Sequence, residues 1–179
     1  IDRNYLGMVR VFEKINNTWT QKGSDITPGH PSNQRIEFGF RVGITDDGNR
    51  IFVSAPDGKR QNGDPGVSNG WVRYGYGVVY EYDGSWNQLG KTLWGNDSND
   101  SFAQTYALNS TGDILALGSM VDDDVNDNAG IVKTYQLIDN DWELIETFYG
   151  VNVNDRLAPL AMNGDGKTLA MTIKNHDTP

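Results

Sequence analysis

The densest set of hard oxygen donors in this chain is Val121-Asp122-Asp123-Asp124-Val125-Asn126-Asp127-Asn128. Calcium takes roughly six to eight such oxygens. Asp122, Asp124, Asn126 and Asp127 are therefore the candidate ligands, and Ca²⁺ is the one cofactor the sequence suggests. The spacing Asp122-x-Asp124 matches the opening of a calcium loop. No glycine and bidentate glutamate follow at the offsets such a loop uses. Asp and Asn are also the best turn formers, so a solvated acidic loop is the competing and preferred reading.

A second kind of chemistry is stacking. Trp71, Tyr74, Tyr76 and Trp94 are aromatics that fall outside the sequence repeat described below. Flat rings of this kind bind sugars or protein partners when exposed. The alternative, which we prefer, is that Trp71-Val72-Arg73-Tyr74-Gly75-Tyr76 starts the strand that runs on to Tyr82. Acid–base or nucleophilic chemistry finds little support. His30 and His176 are the only histidines, and neither lies beside a Ser or carboxylate in a recognised arrangement. No nucleophile elbow, zinc-protease helix, phosphate loop or dinucleotide fingerprint occurs. A glycan-processing pair of carboxylates remains the minor enzymatic alternative. Asn-x-Ser/Thr sequons occur at Asn16, Asn96, Asn99 and Asn109, with Asn16 and Asn109 the better acceptors.

Composition narrows the partners. Lys and Arg total 15 against 24 Asp and Glu, a net charge of -9 over 179 residues. Nucleic-acid affinity comes chiefly from basic side chains on phosphates, so no nucleic-acid partner is expected. A divalent cation, a basic protein patch or a neutral glycan fits this charge. The chain has no cysteine, which excludes disulfides and thiolate metal sites. No apolar run is long enough to span a bilayer as a helix. With Gly 21, Pro 6, Trp 5 and Tyr 8, the composition is that of a turn-rich β protein.

The elements that would position these residues repeat. Gly7-Met8-Val9-Arg10-Val11-Phe12, Gly77-Val78-Val79-Tyr80-Glu81-Tyr82 and Gly130-Ile131-Val132-Lys133-Thr134-Tyr135 are alternating strands. Each is followed by a polar turn and a tryptophan: Trp19, Trp86 and Trp142. The first two continue as Trp19-Thr20-Gln21-Lys22-Gly23 and Trp86-Asn87-Gln88-Leu89-Gly90. Further strands begin near Phe38-Gly39, Phe102-Ala103 and Leu157-Ala158. Turns at Asp47-Gly48, Thr111-Gly112 and Asp165-Gly166 then lead into a last apolar strand. Glycine supplies the positive φ such turns need. The recurring tryptophans are expected to pack between neighbouring units. Four short strands per unit predict the blades of a β-propeller, because a lone four-stranded sheet cannot bury both faces.

The pattern Gly-x-Val-x-Val-Tyr, Trp-x-Gln-x-Gly, Phe-Gly, Asp-Gly, Ala-Pro resembles the FG-GAP-like blades of integrin-α-type propellers. It is most similar to the looser versions in large secreted or surface proteins of marine bacteria and microalgae. Phe38-Gly39 and Ala55-Pro56 carry the signature best. That family's calcium loops are richer in carboxylate than Thr45-Asp46-Asp47-Gly48, Asn109-Ser110-Thr111-Gly112 or Asn163-Gly164-Asp165-Gly166, so family-type calcium is not expected at these turns.

The expected fold is all-β, a partial β-propeller of about three four-stranded blades over residues 1–179, with units near 7–56, 77–120 and 130–173. The expected function is a non-enzymatic interaction module of a secreted, surface or lumenal protein that binds protein or glycan. The alternative is a peripheral structural subunit of a larger, membrane-associated assembly that does not itself span the membrane. Insertions at 57–70 and 94–101 would lie on a binding face, since loops on a rigid scaffold commonly carry binding. Propellers close with about 4–8 blades. Further blades from the same or another chain are therefore expected, and Ile1 suggests a stretch of a longer protein.

Overall fold

The computed structural model describes residues 6–29, 36–61 and 71–175. His30, His176 and residues 62–70 of the first insertion lie outside them. Among the described residues the chain forms fourteen strands and no helix, which matches the all-β expectation. No helix there is long and apolar enough to cross a membrane.

The strands alternate between complete sheets and hairpins. β1 (Phe12–Ile15) and β2 (Thr18–Gln21) pair as a hairpin. Its turn residues Asn16 and Asn17 take φ of 47° and 65°, the left-handed pair that a tight hairpin needs. β3 (Val42–Ile44) and β4 (Arg50–Ala55) follow, and the chain then leaves the sheet to form β5 (Lys59–Gln61) and β6 (Trp71–Arg73). It returns as β7 (Tyr76–Tyr82) and β8 (Trp86–Trp94), giving a four-stranded sheet in the order β3-β4-β7-β8. β9 (Thr105–Leu108), β10 (Ile114–Ser119), β11 (Ile131–Ile138) and β12 (Asp141–Tyr149) make a second sheet with the same meander. β13 (Ala158–Met162) and β14 (Leu169–Thr172) end the chain as a hairpin. All pairings are antiparallel.

Repeat units and sheets are out of phase by half. Each four-stranded sheet takes its first two strands from the end of one repeat unit and its last two from the start of the next. The first sheet thus joins Ile51-Phe52-Val53 of one unit to Val78-Val79-Tyr80 of the next. The counterpart of Gly7 and Gly130 is Gly75, not Gly77. These three glycines have φ of 80°, 84° and 76°. A Cβ on any of them would run into backbone, of Phe38, Leu157 and Phe102 respectively. The reason is a close entry of the next strand: Phe38 N, Phe102 N and Leu157 N donate to the carbonyls of Leu6, Tyr74 and Ala129. Trp71–Arg73 consequently pairs with β5 instead of continuing into β7.

Both faces of the central strands are buried. Along β4, Ile51, Val53 and Ala55 join a core with Val11, Ile26, Ile36 and Phe38, while Phe52 joins the core between the two four-stranded sheets. Along β10, Leu115 and Leu117 enter the shared core, and Ala116 faces β13 and β14. A strand buried on two sides reads as a continuous apolar run rather than a strict alternation, as Ile51-Phe52-Val53 and Ile114-Leu115-Ala116-Leu117 do.

Successive sheets are joined by a repeated set of contacts. Asp46 N donates to Ser110 O at 3.1 Å, and Ser110 N to Gly164 O at 3.0 Å, so the three turns form a relay. Tyr106 Oη in β9 donates to Val42 O in β3, linking the edge strands of the two sheets. Trp86 Nε1 donates to Lys22 O at 2.7 Å, and Trp142 Nε1 to Leu89 O at 3.0 Å. These two tryptophans pack between neighbouring sheets as expected. Trp19, at the same repeat position, is 66% exposed.

Candidate functional site

At the end of the sheets opposite the turn relay, four connections form one hydrogen-bonded surface. They are residues 56–61 with 71–75, then 95–104, 120–130 and 150–157. Asn99 N bonds to Arg73 O, the Ser119 hydroxyl to Asp100 O, Asn126 Nδ2 to Val151 O, and Asn154 N to Asp127 O. The Arg73–Asp57 ion pair at 3.2 Å braces the first of them.

An acidic cluster spans the second and third connections. Asp97, Asp123, Asp124 and Asp127 are exposed at its rim. Asp100 and Asp122 lie beneath, 4% and 3% exposed. Burial, together with the Asp122, Asp97 and Asp124 carboxylates, pushes Asp100 up to about 7. Burial pushes Asp122 up to about 6, against a hydrogen bond from the Asp124 amide. The neighbouring Asp124 carboxylate, together with burial, raises Asp97. Lys133 is the ammonium of the cluster, 6% exposed and 5.4 Å from the Phe102 ring centre. Its burial lowers its pKa, opposed by the carboxylates of Asp124, Asp122, Asp100 and Asp97.

Local sequence dictates this loop. Gly95-Asn96-Asp97-Ser98-Asn99-Asp100-Ser101-Phe102-Ala103 parallels Gly150-Val151-Asn152-Val153-Asn154-Asp155-Arg156-Leu157-Ala158. In both, the Asn and the residue after the Asp take positive φ: Asn99 73°, Ser101 52°, Asn154 63°, Arg156 53°. Asp155 Oδ2 accepts the amides of Val151 and Asn152 at 2.9 and 2.8 Å, and Asp100 accepts the amide of Asp97. Asp100, Asp97 and Lys133 escaped the sequence reading. The Asn-Asp-x-[Phe/Leu]-Ala repeat was the signal that could have found Asp100. Lys133 stands in an alternating strand with nothing to mark it.

The metal-ligand set expected from sequence does not converge. Asp122 Oδ1 accepts the Asp124 amide at 3.1 Å, Asn126 spends its Nδ2 on Val151 O at 2.8 Å, and the Asp127 side chain is exposed. Among the described residues no group of three or more His, Cys, Asp or Glu is placed to hold a metal ion.

The aromatic platform is corrected as well. Tyr74 and Tyr76 are buried, 5% and 6% exposed. Trp94 is half-buried, 4.7 Å from the Tyr76 ring and 5.2 Å below the Arg60 guanidinium. Trp71 lies in β6, and its side chain is outside the described residues. Tyr76, Trp94, Val78, Tyr80, Gln88 and Thr92 instead line a recess of about 190 Å³ on the face of β7 and β8.

The two sequons separate. Asn16 sits exposed in the β1–β2 turn. Asn109 is 4% exposed, and its Nδ2 donates to Thr111 Oγ1 and Asp113 Oδ1. An amide committed this way cannot carry a glycan, which corrects Asn109 as an acceptor.

No family model and no curated protein matches the chain. Solved structures give partial likenesses. The complex of KlAtg21 with the coiled coil of AgAtg16 shares 19% identity over 74% of this chain and 36% of its own, at TM-score 0.48. A provisionally assigned 6-phosphogluconolactonase of Bacteroides uniformis shares 13% identity over 90% of this chain and 39% of its own, at TM-score 0.49. A second protein so assigned, from Bacteroides fragilis, shares 12% over 92% and 57%, at TM-score 0.43. The chain thus spans between 36% and 57% of the length of these solved chains.

Proposed function

We propose that the chain is part of a β-propeller of the FG-GAP-like kind, and that its acidic loop face binds a basic protein segment without covalent chemistry. One observation supports the propeller. Consecutive four-stranded meanders stack through the same turn, strand and tryptophan contacts, and a radial array of blades is what such repetition builds. The secretory or surface setting is supported by the exposed Asn16 sequon.

One observation carries the binding reading. Exposed Asp97, Asp123, Asp124 and Asp127 ride on two connections that are tied together, above buried Asp100 and Asp122. Lys133, buried beneath, is the ammonium drawn into this group. A rigid surface of one sign speeds and orients the encounter with the opposite sign.

The test is titration of an Arg/Lys-rich peptide into the protein by calorimetry at low salt. Binding should weaken as salt rises. It should fall at least tenfold when Asp97, Asp123, Asp124 and Asp127 are changed to Asn together. Equal binding by wild type and variant would remove the reading.

A further inference from the structure

The recess on the face of β7 and β8 is lined by two tyrosines whose hydroxyls have nothing to bond. Tyr76 and Tyr80 stand at alternate positions of β7, with Val78 between them on the same face. Among the described residues, neither phenol oxygen takes part in a hydrogen bond. Tyr76 is 6% exposed, and Tyr80 is half-buried. A buried Tyr hydroxyl usually finds a partner, and leaving it unbonded is costly, so such a group calls for an explanation. Burial holds both phenols above their usual titration range, and for Tyr76 the neighbouring Tyr80 phenol adds to the effect. Both are therefore neutral donors at physiological pH.

The rest of the lining fits a neutral molecule with hydroxyls and an apolar face. Among the described residues, no charged side chain lines the recess. An ion would find no counter-charge there. Gln88 Nε2 donates to Gly90 O at 2.9 Å and to Thr92 Oγ1 at 3.3 Å. That leaves the Thr92 hydroxyl proton as a donor and Gln88 Oε1 as an acceptor. Tyr76 and Trp94, with ring centres 4.7 Å apart, join Val78 as apolar walls. A pyranose matches both demands. Its C–H face packs on an aromatic ring, and its edge hydroxyls donate and accept. At about 190 Å³ the recess is smaller than the roughly 300–1,000 Å³ that takes a drug-sized ligand. It has room for one ring.

Packing between sheets does not require these polar groups. The second sheet shows what stands in their place. The pairs Ala55↔Tyr76 and Ser119↔Ile131 set Tyr76 against Ile131. The pairs Val53↔Val78 and Leu117↔Lys133 set Val78 against Lys133, which joins the acidic cluster. The pairs Tyr80↔Gln88 and Tyr135↔Leu144 set Gln88 against Leu144. A neutral recess with a phenol at 76 and an amide at 88 thus belongs to the first complete sheet and not to the second.

We propose that this recess binds one neutral sugar ring. The ring packs on Trp94 and Val78, and its hydroxyls bond to Tyr76 Oη, Tyr80 Oη, Thr92 Oγ1 and Gln88 Oε1. The site is separate from the acidic loop face and does not depend on it.

Saturation-transfer NMR on the 179-residue chain tests this. The probes are glucose, galactose, mannose and N-acetylglucosamine, their methyl glycosides, and a glycan array. At least one sugar should bind saturably. Methyl glycosides and array glycans that bind mark a unit of a larger glycan as the source; binding of the reducing sugars alone marks a free monosaccharide. Tyr76→Phe with Tyr80→Phe should weaken binding roughly tenfold or more, since a neutral hydrogen bond is worth roughly three- to tenfold. The same double variant should melt at or above wild type, because the hydroxyls it removes have no partner in the protein. Added salt, or the change of Asp97, Asp123, Asp124 and Asp127 to Asn, should leave sugar binding unaltered. The proposal is overturned if none of these sugars binds, if the double variant binds as well as wild type or melts below it, or if binding falls with salt. Each of those results leaves the basic-peptide reading standing, and a failure of that reading leaves the recess untouched.

Discussion

The indole of Trp142 donates to the Leu89 carbonyl at 3.0 Å from the far strand of the neighbouring sheet. Leu89 stands three residues after Trp86, and Trp86 makes the same bond to Lys22, three residues after Trp19. The glycine that follows makes room for the ring. A Cβ on Gly90 would lie 2.7 Å from Trp142 Cδ1, and one on Gly23 2.8 Å from Trp86 Cδ1. The glutamine holds the glycine's carbonyl: Gln21 Nε2 bonds to Gly23 O and Gln88 Nε2 to Gly90 O. The Trp-x-Gln-x-Gly motif is thus one half of a joint whose other half is the next tryptophan.

Gly90→Val should cost about 2–4 kcal/mol, from overpacking against the indole and from a side chain at positive φ. Trp142→Phe should cost about 2–3 kcal/mol, since it leaves a gap and an unpaired carbonyl. Trp19→Phe should stay within about 0.5 kcal/mol because that ring is exposed. Urea melts of the three variants read this order directly.

The buried carboxyls give stability a slope in pH. Asp100 and Asp122 titrate in the folded chain near 7 and near 6, against about 4 when unfolded. The folded state therefore holds more protons between those values. Its stabilising share is full below about pH 4 and is lost as pH rises through about 6 to 7. Urea midpoints should fall across this window. Asp100→Asn keeps an oxygen for the Asp97 amide and should flatten the slope; a wild-type midpoint that rises with pH here would refute the assignment.

Lys133→Met removes the ammonium from beneath four carboxyls. Its removal leaves the Asp100 and Asp122 carboxylates less compensated, so the variant should be less stable where they are ionised. The loss should be largest above pH 7 and shrink toward pH 5, where protonation of Asp100 and Asp122 replaces the missing charge. Equal destabilisation at both pH values would place Lys133 outside the cluster's electrostatics.

Asn109→Gln should destabilise by about 2–3 kcal/mol, because the Asn109 carbonyl also accepts the amides of Asp113 and Ile114. On expression through a glycosylating host, Asn16→Gln should remove one glycan from the intact mass. Asn109→Gln should remove none.

The strands were legible because their signals are local. Alternation marks β7 and β11, and apolar runs mark β4 and β10. Paired turn residues such as Asn16-Asn17 and Asp139-Asn140 mark hairpins by the positive φ they tolerate. The repeat itself was legible, yet its phase was not. Gly77 and Gly75 both precede a Val- and Tyr-rich strand, and only the approach of the Phe102 backbone requires a glycine at 75. The site was legible least. Asp122 and Asp124 stood out by density, but density in one segment does not show which other carboxylates share their surroundings. Asp97 and Asp100 meet them from another loop across more than twenty residues of chain, together with a lysine from β11.

Sequence alone determined the antiparallel β character, the repeat, the turn positions and the acidity of the chain. These depend on the residues' own backbone preferences and on hydrophobic period, which act within a few positions. Tertiary structure alone decided which half-units share a sheet, that Trp86 and Trp142 are locked while Trp19 is not, and that Asp100 lies buried beside Asp122. Those outcomes depend on which segments become neighbours. Burial and the charges it gathers set a group's chemistry, and neither is a property of the residues next to it in the chain.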